Sequence, residues 1–428
     1  MAPGSEARAW SWSEENIVMV SRRSLLFASI VGLAPIPAFA AQTQETTTGA
    51  TGTELPLLAG PHPIKRAFTP ATTPLGPVGT KARWALITDY DTGATLLEKN
   101  PTEAMPPSSM TKLMTLYIVY GMLKAGQLKL DQTLPVTRAA WHTGGSKMFV
   151  PMGGEVSVAD LIQGIEVDSG NDACIVLAEG ISGSETTFTE LMNRTAAKLH
   201  LVNSHFLNAT GLPAPGHYMC CQDIATIARL IISSFPKYYH YASEKIFTFS
   251  NIKQYNRNQL VQDNLADGLK TGFTYAGGYG LCASAEREGR RIIMVLNGMP
   301  TERDRTAEGV RLLDWSFRSF ENVVLFKAGA PVVAASVWLG ASPTVPLSGN
   351  VDLVATLPHE WRRTAQIRCV YDTPIAAPVA AGQPLGWLLL DGKGVPPARL
   401  PLYAASAVPR LGIAGRAFAV LTDLAFGH

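Results

Sequence analysis

The sequence predicts an α+β protein: a larger domain that combines a helical cluster with an antiparallel sheet, followed by a small all-β domain. Before about residue 325, apolar residues recur at helical spacing in several segments, and strand-like pairs joined by Gly-containing turns lie between them. From 326 to 408 the pattern changes to short alternating runs that Pro and Gly interrupt, which is typical of a separate β domain. A chain of 428 residues, 46% of them hydrophobic, can fill two or three domains.

The first 40 residues have the pattern of an export signal. Two arginines at 22 and 23 precede an apolar run from 25 to 33, and Ala38-Phe39-Ala40 forms a small-residue cleavage site. The run is too short for a stop-transfer helix, so we predict a signal peptide and a mature protein that begins near Ala41 outside the cytoplasm. Residues 1–18 then precede the signal, as they would if translation starts at Met19. Sec and twin-arginine export both stay open.

Residues 41–81 are rich in Thr, Pro and Gly without periodicity, and they predict a flexible leader that need not pack. The larger domain, residues 82–325, then begins with strand-like runs from Trp84 to Tyr90 and from Ala94 to Glu98. Asp91-Thr92-Gly93 joins these runs as a hairpin turn.

A helix is predicted to begin at about Ser108 or Ser109. The two prolines before it cannot lie inside a helix, and apolar residues recur at helical spacing from Leu113 onward. Because positions i and i+3 share a helix face, the Lys112 amine can reach the Ser109 hydroxyl beside the free N–H groups of the helix start. A serine in this setting is a nucleophile with its base. On this tetrad alone, a helix cap is the better explanation of Ser109.

A second polar pair is predicted between two buried helices. Ser157 to Asp160 has the form of a capping box before a helix that ends near Asp168, and another helix runs from Ala173 to Glu179. The loop between them carries Ser169 and Asn171. Ser-Gly-Asn also occurs at 348–350, so the motif alone fits a turn as well as a site. Helical patterns follow from 186 to 199 and from 222 to 233.

A third candidate lies on a strand. Glu288-Gly289 turns one apolar run into the next, which places Lys270, Thr271 and Gly272 in an antiparallel sheet. Gly272 would let a substrate backbone approach the strand, and Lys270 would supply a fixed positive charge. In isolation, a solvated lysine before a turn is the better explanation of this motif. A helix from about Thr306 to Phe320 closes the domain.

Taken together and in this order, the three motifs resemble the active-site set of the penicillin-binding proteins and serine β-lactamases. Their wider settings, residues 107–115, 169–173 and 267–272, resemble the low-molecular-mass D-alanyl-D-alanine carboxypeptidases, serine peptidase family S11. The similarity runs from about residue 80 to the C-terminus and includes Asn256-Arg257-Asn258 and the β domain. It implies a β-lactamase/transpeptidase-like fold for the larger domain.

The resemblance implies roles for the residues that react. Ser109 resembles the acylated nucleophile and Lys112 its general base, while Ser169 would pass a proton to the leaving group. Backbone N–H groups of Ser109 and Phe273 would form the oxyanion hole. To act as a base Lys112 must be partly neutral, and burial beside a second cation, Lys270, would lower its pKa in that direction.

The resemblance also implies which residues bind substrate. Asn171 would hold the peptide, Lys270 and Thr271 would polarise the site and bind the substrate carboxylate, and Arg305 matches an arginine that helps to recognise that carboxylate. Phe273 departs from the family, because relatives often have a hydroxyl-bearing residue or histidine there. Cys220 and Cys221 also depart, at a helix start usually filled by Ser, Thr or Ala.

Composition argues against several other classes of protein. The net charge of +2 without a long basic run makes nucleic acid an unexpected partner. Five cysteines without Cys-x-x-Cys spacing and eight scattered histidines indicate neither a metal site nor a disulfide framework. Adjacent Cys220 and Cys221 fit small buried residues better than a reactive pair. No phosphate-binding glycine loop is present, and no cofactor is expected.

The expected function is that of a periplasmic serine-type carboxypeptidase. It would remove the terminal D-alanine from peptidoglycan stem pentapeptides through an acyl-enzyme, with β-lactam antibiotics as acylating inhibitors. A serine β-lactamase shares the motifs but is not expected to carry the β domain. A non-catalytic penicillin-binding, wall-organising module is the other alternative, against which the intact Ser109 and Lys112 argue. Endopeptidase action on cross-links stays open.

The C-terminal segment, residues 409–428, predicts an amphipathic helix. Leu411, Ala414, Phe418, Leu421 and Ala425 recur at helical spacing. The segment is short for a spanning helix but can lie in the membrane interface, and it resembles the C-terminal anchor helix of the family. We therefore expect attachment to the outer face of the inner membrane. The alternative is a helix packed against the β domain.

Overall fold

The computed structural model describes residues 17–21 and 69–426. The rest of the predicted signal peptide and most of the predicted leader, residues 1–16 and 22–68, lie outside the described residues. The helices are α1 (Lys112–Lys124), α2 (Arg138–His142), α3 (Val158–Glu166), α4 (Asn171–Ser182), α5 (Glu185–Lys198), α6 (Cys221–Ser234), α7 (Pro236–Tyr239), α8 (Gln259–Gln262), α9 (Glu302–Ser319) and α10 (Ile413–Phe426).

The strands before α10 divide between the two domains. They are β1 (Ile17–Ser21), β2 (Trp84–Asp89), β3 (Thr95–Lys99), β4 (Thr133–Pro135), β5 (Glu155–Ser157), β6 (Ile246–Phe249), β7 (Ile252–Tyr255), β8 (Gly268–Thr274), β9 (Gly278–Arg287), β10 (Arg290–Met299), β11 (Phe320–Phe326), β12 (Pro331–Trp338), β13 (Thr344–Ser348), β14 (Leu353–Pro358), β15 (Ala365–Tyr371), β16 (Ile375–Ala376), β17 (Pro384–Gly392) and β18 (Ala398–Ala404).

The larger domain is built on a five-stranded antiparallel sheet in the order β3-β2-β10-β9-β8. Side chains alternate along β10, so that Ile293 and Val295 join the core of the helical cluster while Ile292 and Met294 join the core under α9. The sheet is therefore covered on both faces. Lys270, Thr271 and Gly272 lie on β8 as predicted, and β8 is an edge strand.

The helical cluster surrounds α1, which is buried along most of its length and contacts α4, α5 and α6. The predicted capping box is confirmed, since Ser157 Oγ accepts a hydrogen bond from the backbone N of Asp160 at 3.1 Å. Cys220 caps α6 with its sulfur, which lies 3.4 Å from the backbone N of Asp223. Cys220 and Cys221 are both free and buried, as predicted.

Two helices begin earlier than the sequence indicated. Helix α4 begins at Asn171, not at Ala173. Helix α9 begins at Glu302, not at about Thr306, because Thr301 caps it by accepting a hydrogen bond from the backbone N of Asp304 at 3.0 Å. Apolar periodicity cannot detect a charged first turn, and this turn carries Arg305.

The prediction that the leader stays unpacked as far as residue 81 is wrong for its last part. Ala71 is buried, and its backbone N donates to Val78 O at 2.8 Å. Thr80 Oγ1 donates to Glu308 Oε2 of α9 at 2.7 Å. Residues 69–81 thus pack on the larger domain, because small apolar and hydroxyl side chains there meet partners distant in sequence.

The C-terminal domain is all-β. Its sheet has the order β15-β17-β18-β13-β12-β16, and β1, from the segment before the predicted cleavage site, pairs with the outer edge of β15; β11 pairs with β14 in a second ladder. Strand β11 runs across the predicted boundary at 325, so the β domain begins about where α9 ends, at Phe320. Asn322 on β11 donates to Asp89 Oδ1 of the larger domain at 3.2 Å, which ties the two domains together.

The C-terminal segment forms the predicted helix, α10. Ile413, Phe418 and Leu421 are 80%, 70% and 64% exposed, so most of the surface of each side chain faces solvent. In the described part of the chain, no helix combines the length and hydrophobicity needed to cross a bilayer.

Candidate active site

The chain enters α1 through a 3-10 turn, Ser108–Thr111, whose cap residue, Pro107, makes no side-chain hydrogen bond. Ser109 therefore lies at the predicted place but does not cap the helix. Its Oγ accepts a hydrogen bond from Lys112 Nζ at 2.9 Å. The predicted pair of hydroxyl and amine is formed.

Glycine at 272 allows β8 to lie against this turn. A Cβ at that position would be 3.2 Å from the Ser109 backbone N and 3.0 Å from Ser108 Cβ, so a side chain there would press the turn away from the strand by a few tenths of an ångström. Ser108 Oγ is also hydrogen-bonded to Thr274 Oγ1 on β8, at 2.9 Å. The turn and the strand thus hold the Ser109 backbone against the sheet edge.

Lys112 is fully buried, and its Nζ donates to three oxygens. Besides Ser109 Oγ, these are Asn171 Oδ1 and Thr210 O, each at 2.7 Å. The pKa of Lys112 is lowered to about 8, mainly by burial; Cys174 and Asp172 oppose this shift, and the Arg257 guanidinium adds to it. The direction of this pKa shift is as predicted, and Arg257 is a further cation that acts on Lys112 beside Lys270.

Lys270 is also buried, and its pKa is lowered by that burial and then by the positive charge of Lys112, while Glu166 raises it. The repulsion between the two ammonium groups is mutual, so a positive charge on either lysine favours the neutral form of the other. Both ammonium groups lie in one buried region, and it costs free energy to hold two positive charges there.

The Ser169–Asn171 loop leads into α4, and the first residue of that helix, Asn171, ties it to the segment 144–146. Asn171 Nδ2 donates to Gly144 O and its backbone N donates to Ser146 O, each at 2.7 Å. Ser169 has a φ of 58°, the left-handed region that L-residues rarely adopt. This conformation marks a loop whose shape its surroundings fix.

Asp172 fixes the opposite wall of the site. Its carboxylate is buried and accepts backbone N–H groups from Met148 at 3.0 Å, Phe149 at 2.9 Å and Val150 at 3.2 Å. The same segment of chain carries Gly144 and Ser146, so Asp172 and Asn171 anchor it from two sides.

These elements enclose a groove of about 560 Å³. Its walls include most of the predicted site residues: Ser109, Ser169, Asn171, Thr271, Gly272, Phe273 and Arg305. Lys112 and Lys270 lie buried beneath it. The structure thus brings every predicted site residue to one place.

One end of the groove is strongly basic. Arg305 is only 5% exposed, and it donates to Glu302 Oε1 at 2.7 Å and to Arg257 O at 3.0 Å. Arg257 Nε donates to Asp168 O at 2.9 Å. Two guanidinium groups held in place at one end of a groove suit a carboxylate ligand.

Phe273 forms an aromatic edge beside this end. It is 44% exposed, and its ring centroid lies 4.2 Å from that of Tyr279. Its side chain therefore offers apolar area in place of the hydroxyl or imidazole that the family often has there.

Four residues of the site had no role predicted from the sequence. Thr210 contributes a backbone carbonyl. Because every residue has one, the amino-acid sequence does not indicate which carbonyl reaches the site. Gly211 has a φ of 83° and lies so close to Ser108 O that no Cβ fits, and this contact brings Thr210 to Lys112. Arg257 was noted only within the resemblance, without a role; Asp172 likewise had no predicted role.

A serine hydroxyl bonded to a buried lysine of lowered pKa, with a hydroxyl–amide loop and a lysine-bearing edge strand around it, defines a serine acyl-transfer enzyme of the penicillin-binding class. Comparison with known proteins agrees. The D-alanyl-D-alanine carboxypeptidase family model matches residues 70–301, and the C-terminal domain of penicillin-binding protein 5 matches residues 320–410. The chain belongs to the D-alanyl-D-alanine carboxypeptidase family, S11.

Similar proteins include D-alanyl-D-alanine carboxypeptidase DacC of Escherichia coli, which is 38% identical over 82% of this chain and 90% of its own length. DacA of Haemophilus influenzae is 37% identical over 78% of this chain and 87% of its own length. The crystal structure of penicillin-binding protein 5 from Haemophilus influenzae aligns with a TM-score of 0.72 at 36% identity, covering 78% of this chain and 99% of that one.

These findings establish the predicted class, fold and activity. The protein is a serine-type D-alanyl-D-alanine carboxypeptidase, a hydrolase of the penicillin-binding class. A serine β-lactamase was not expected to carry a C-terminal β domain. This chain does carry one.

Proposed function

We propose that Ser109 is the nucleophile that attacks the carbonyl carbon between the last two D-alanines of a stem peptide. An ester to Ser109 Oγ forms, the terminal D-alanine leaves as its amine, and water then hydrolyses the ester. The observation that carries this proposal is the 2.9 Å hydrogen bond between Lys112 Nζ and Ser109 Oγ, with the lowered pKa of Lys112.

Lys112 acts as the general base in this proposal. With a pKa of about 8, roughly a tenth of the enzyme carries a neutral Lys112 at pH 7, about 300 times more than for an unperturbed lysine. The neutral amine takes the Ser109 proton as the C–O bond forms. Ser169, on the same groove, passes a proton to the departing nitrogen.

The remaining residues bind the peptide and the charge that develops on it. Backbone N–H groups of Ser109 and Phe273 stabilise the oxyanion, since Gly272 brings these two segments together. The peptide lies along the free edge of β8 as an added strand, with Asn171 on its other side. Lys270, Thr271 and Arg305 hold the terminal carboxylate.

We also propose that the enzyme is exported and works in the periplasm, attached to the outer face of the inner membrane by α10. The apolar side chains exposed on α10, Ile413, Phe418 and Leu421, support this attachment. The export signal rests on the sequence pattern of residues 22–40.

The test is incubation of the purified protein with diacetyl-Lys-D-Ala-D-Ala and, separately, with labelled penicillin. We expect release of D-alanine and a long-lived label. Rapid loss of the label with turnover of penicillin would favour a β-lactamase instead. Absence of both signals from a folded protein would favour the non-catalytic module and contradict the proposal.

A further inference from the structure

Three aromatic rings border the end of the catalytic groove where Arg305 lies, and the proposed reaction uses none of them. Phe273 on β8 and Tyr279 on β9 are opposite each other in the strand pair, and their ring centroids are 4.2 Å apart. The ring of Tyr275 follows, with its centroid 5.5 Å from that of Phe273. Phe273 is about half exposed and Tyr275 is 98% exposed. We call these three rings the aromatic shelf.

The aromatic shelf lies beside the proposed position of the substrate carboxylate. Thr271 and Phe273 are two residues apart on β8, so their side chains lie on the same face of the strand, about 7 Å apart. Arg305 reaches this face from α9, and its guanidinium carbon lies 5.9 Å from the centroid of the Tyr279 ring. A carboxylate held by Thr271 and Arg305 would therefore have the rings of Phe273 and Tyr279 next to it.

The leaving residue of the peptide connects the carboxylate site to the shelf. Its α-carboxylate and its side chain are bonded to the same carbon atom. During the reaction its nitrogen lies at Ser109 and its carboxylate at Arg305, so this carbon atom is fixed between the two. The methyl group of D-alanine is too short to cover the rings of the shelf, whereas a longer apolar side chain can lie across them.

There is space for such a side chain beyond the catalytic groove. Phe273 and Tyr279 line the groove of about 560 Å³ and also a second cavity of about 780 Å³, which Tyr275 lines as well. Gly277 and Gly278 form the turn between β8 and β9 at this second cavity, so the turn places no side chain in it. The end of the groove is therefore open past the shelf.

Exposed rings at this position favour an apolar ligand. Covering them removes apolar surface from water, and an aromatic ligand adds stacked or edge contacts with Phe273 and Tyr279. A side chain at the leaving position reaches the shelf without extra cost in orientation, because the carboxylate already holds the residue.

We propose that the aromatic shelf binds the side chain of the leaving residue, so that the enzyme also cleaves stem peptides that end in a D-amino acid with a large apolar side chain, such as D-phenylalanine. Phe273 is the residue that determines this specificity. The inference rests on the proposed function, and the chemistry is the same. The amide C–N bond breaks as the ester to Ser109 Oγ forms, the departing nitrogen takes a proton, and water hydrolyses the ester.

The experiment measures kcat/KM for diacetyl-Lys-D-Ala-D-Phe and for diacetyl-Lys-D-Ala-D-Ala, with the released amino acid identified by chromatography. For wild type we expect the ratio of the first value to the second to be about one or higher. Phe273→Ser removes the ring and should lower this ratio about tenfold, chiefly by raising KM for the D-Phe peptide. Phe273→Tyr keeps the ring and should keep the wild-type ratio.

Two further variants separate binding by the shelf from a general disturbance of the site. Tyr275→Ala removes a ring that does not line the catalytic groove, and it should lower the same ratio by less. Leu212→Ala is the matched control, because Leu212 is an exposed apolar side chain that lines the catalytic groove outside the shelf; it should leave the ratio unchanged. Acylation by labelled penicillin shows whether the site of each variant is assembled. If that of Phe273→Ser is not, Tyr275→Ala decides.

A wild-type ratio clearly below one, or an equal ratio in wild type and Phe273→Ser, would overturn the inference while the proposed function stands. A higher ratio in Phe273→Ser would also overturn it, because the ring would then obstruct large side chains and not bind them. If wild type releases no D-alanine and takes no penicillin label, the proposed function itself fails, so the two failures are distinct.

Discussion

Replacing Lys112 by Arg separates the base from the hydrogen-bond donor. Arginine keeps a positive charge and can donate to Ser109 and Asn171, but it does not become neutral at any pH where the protein is folded. Because Lys112 has a pKa of about 8, the wild-type acylation rate should rise roughly 50-fold between pH 6 and pH 8 and then level off. The neutral amine is the active form, so activity is lost as the pH falls.

For Lys112→Arg we expect the rate to fall by about 10² to 10⁴, the usual contribution of a general base, with no rise across this pH range. The assay is the second-order rate constant for acylation by labelled penicillin, followed by stopped flow. Lys99→Arg is the control, since Lys99 is a partly buried lysine outside the catalytic groove whose Nζ donates to Ala82 O at 2.8 Å. A Lys112→Arg rate within about threefold of wild type, or a flat wild-type profile from pH 6 to 8, would refute the assignment of the base.

Three other perturbations give independent checks. Arg305→Ala should damage turnover of the peptide more than acylation by penicillin, because the peptide must be held by its free carboxylate through a contact of about 1.5–3 kcal/mol; equal peptide rates for wild type and variant would mean that this arginine does not bind substrate. Asp172→Asn leaves too few acceptors for the buried N–H groups around residues 148–150, so the free energy of unfolding in urea should fall by about 2–4 kcal/mol, whereas exposed Asp131→Asn should leave it unchanged. Truncation after Pro409 should release the enzyme from membranes with activity on small peptides intact; equal partitioning of both forms, or unfolding of the β domain, would show that α10 is structural.

Most of the site could be predicted from the sequence. Its key contacts join residues that are close in sequence, or they are made by hydroxyl and ionisable side chains that form recognisable motifs. Ser109 and Lys112 are one helical turn apart. Lys270 lies on β8, which pairs with β9, and the turn from β9 to β10 can be recognised in the sequence. The order of these motifs then identified the family. What could not be predicted depends on the tertiary fold: the carbonyl of Thr210 and the anchoring of residues 148–150 by Asp172.

The errors at element boundaries have the same origin. The first turn of α9 is polar, so apolar spacing does not reveal it, and Arg305 was placed before the helix. Residues 69–81 look unstructured by composition, yet Ala71 and Thr80 find partners on distant segments. Strand β11 follows α9 directly, and only its pairing with β14 shows which domain it belongs to.

The most direct test of the account is to locate the acyl group. Wild type and Ser109→Ala are incubated with penicillin, digested and mapped by mass spectrometry, and D-alanine release is measured on the same preparations. We expect one penicilloyl group on the wild-type peptide that contains Ser109, and neither adduct nor D-alanine release in a variant that folds normally. An adduct on another residue, or normal release of D-alanine by Ser109→Ala, would contradict the central claim.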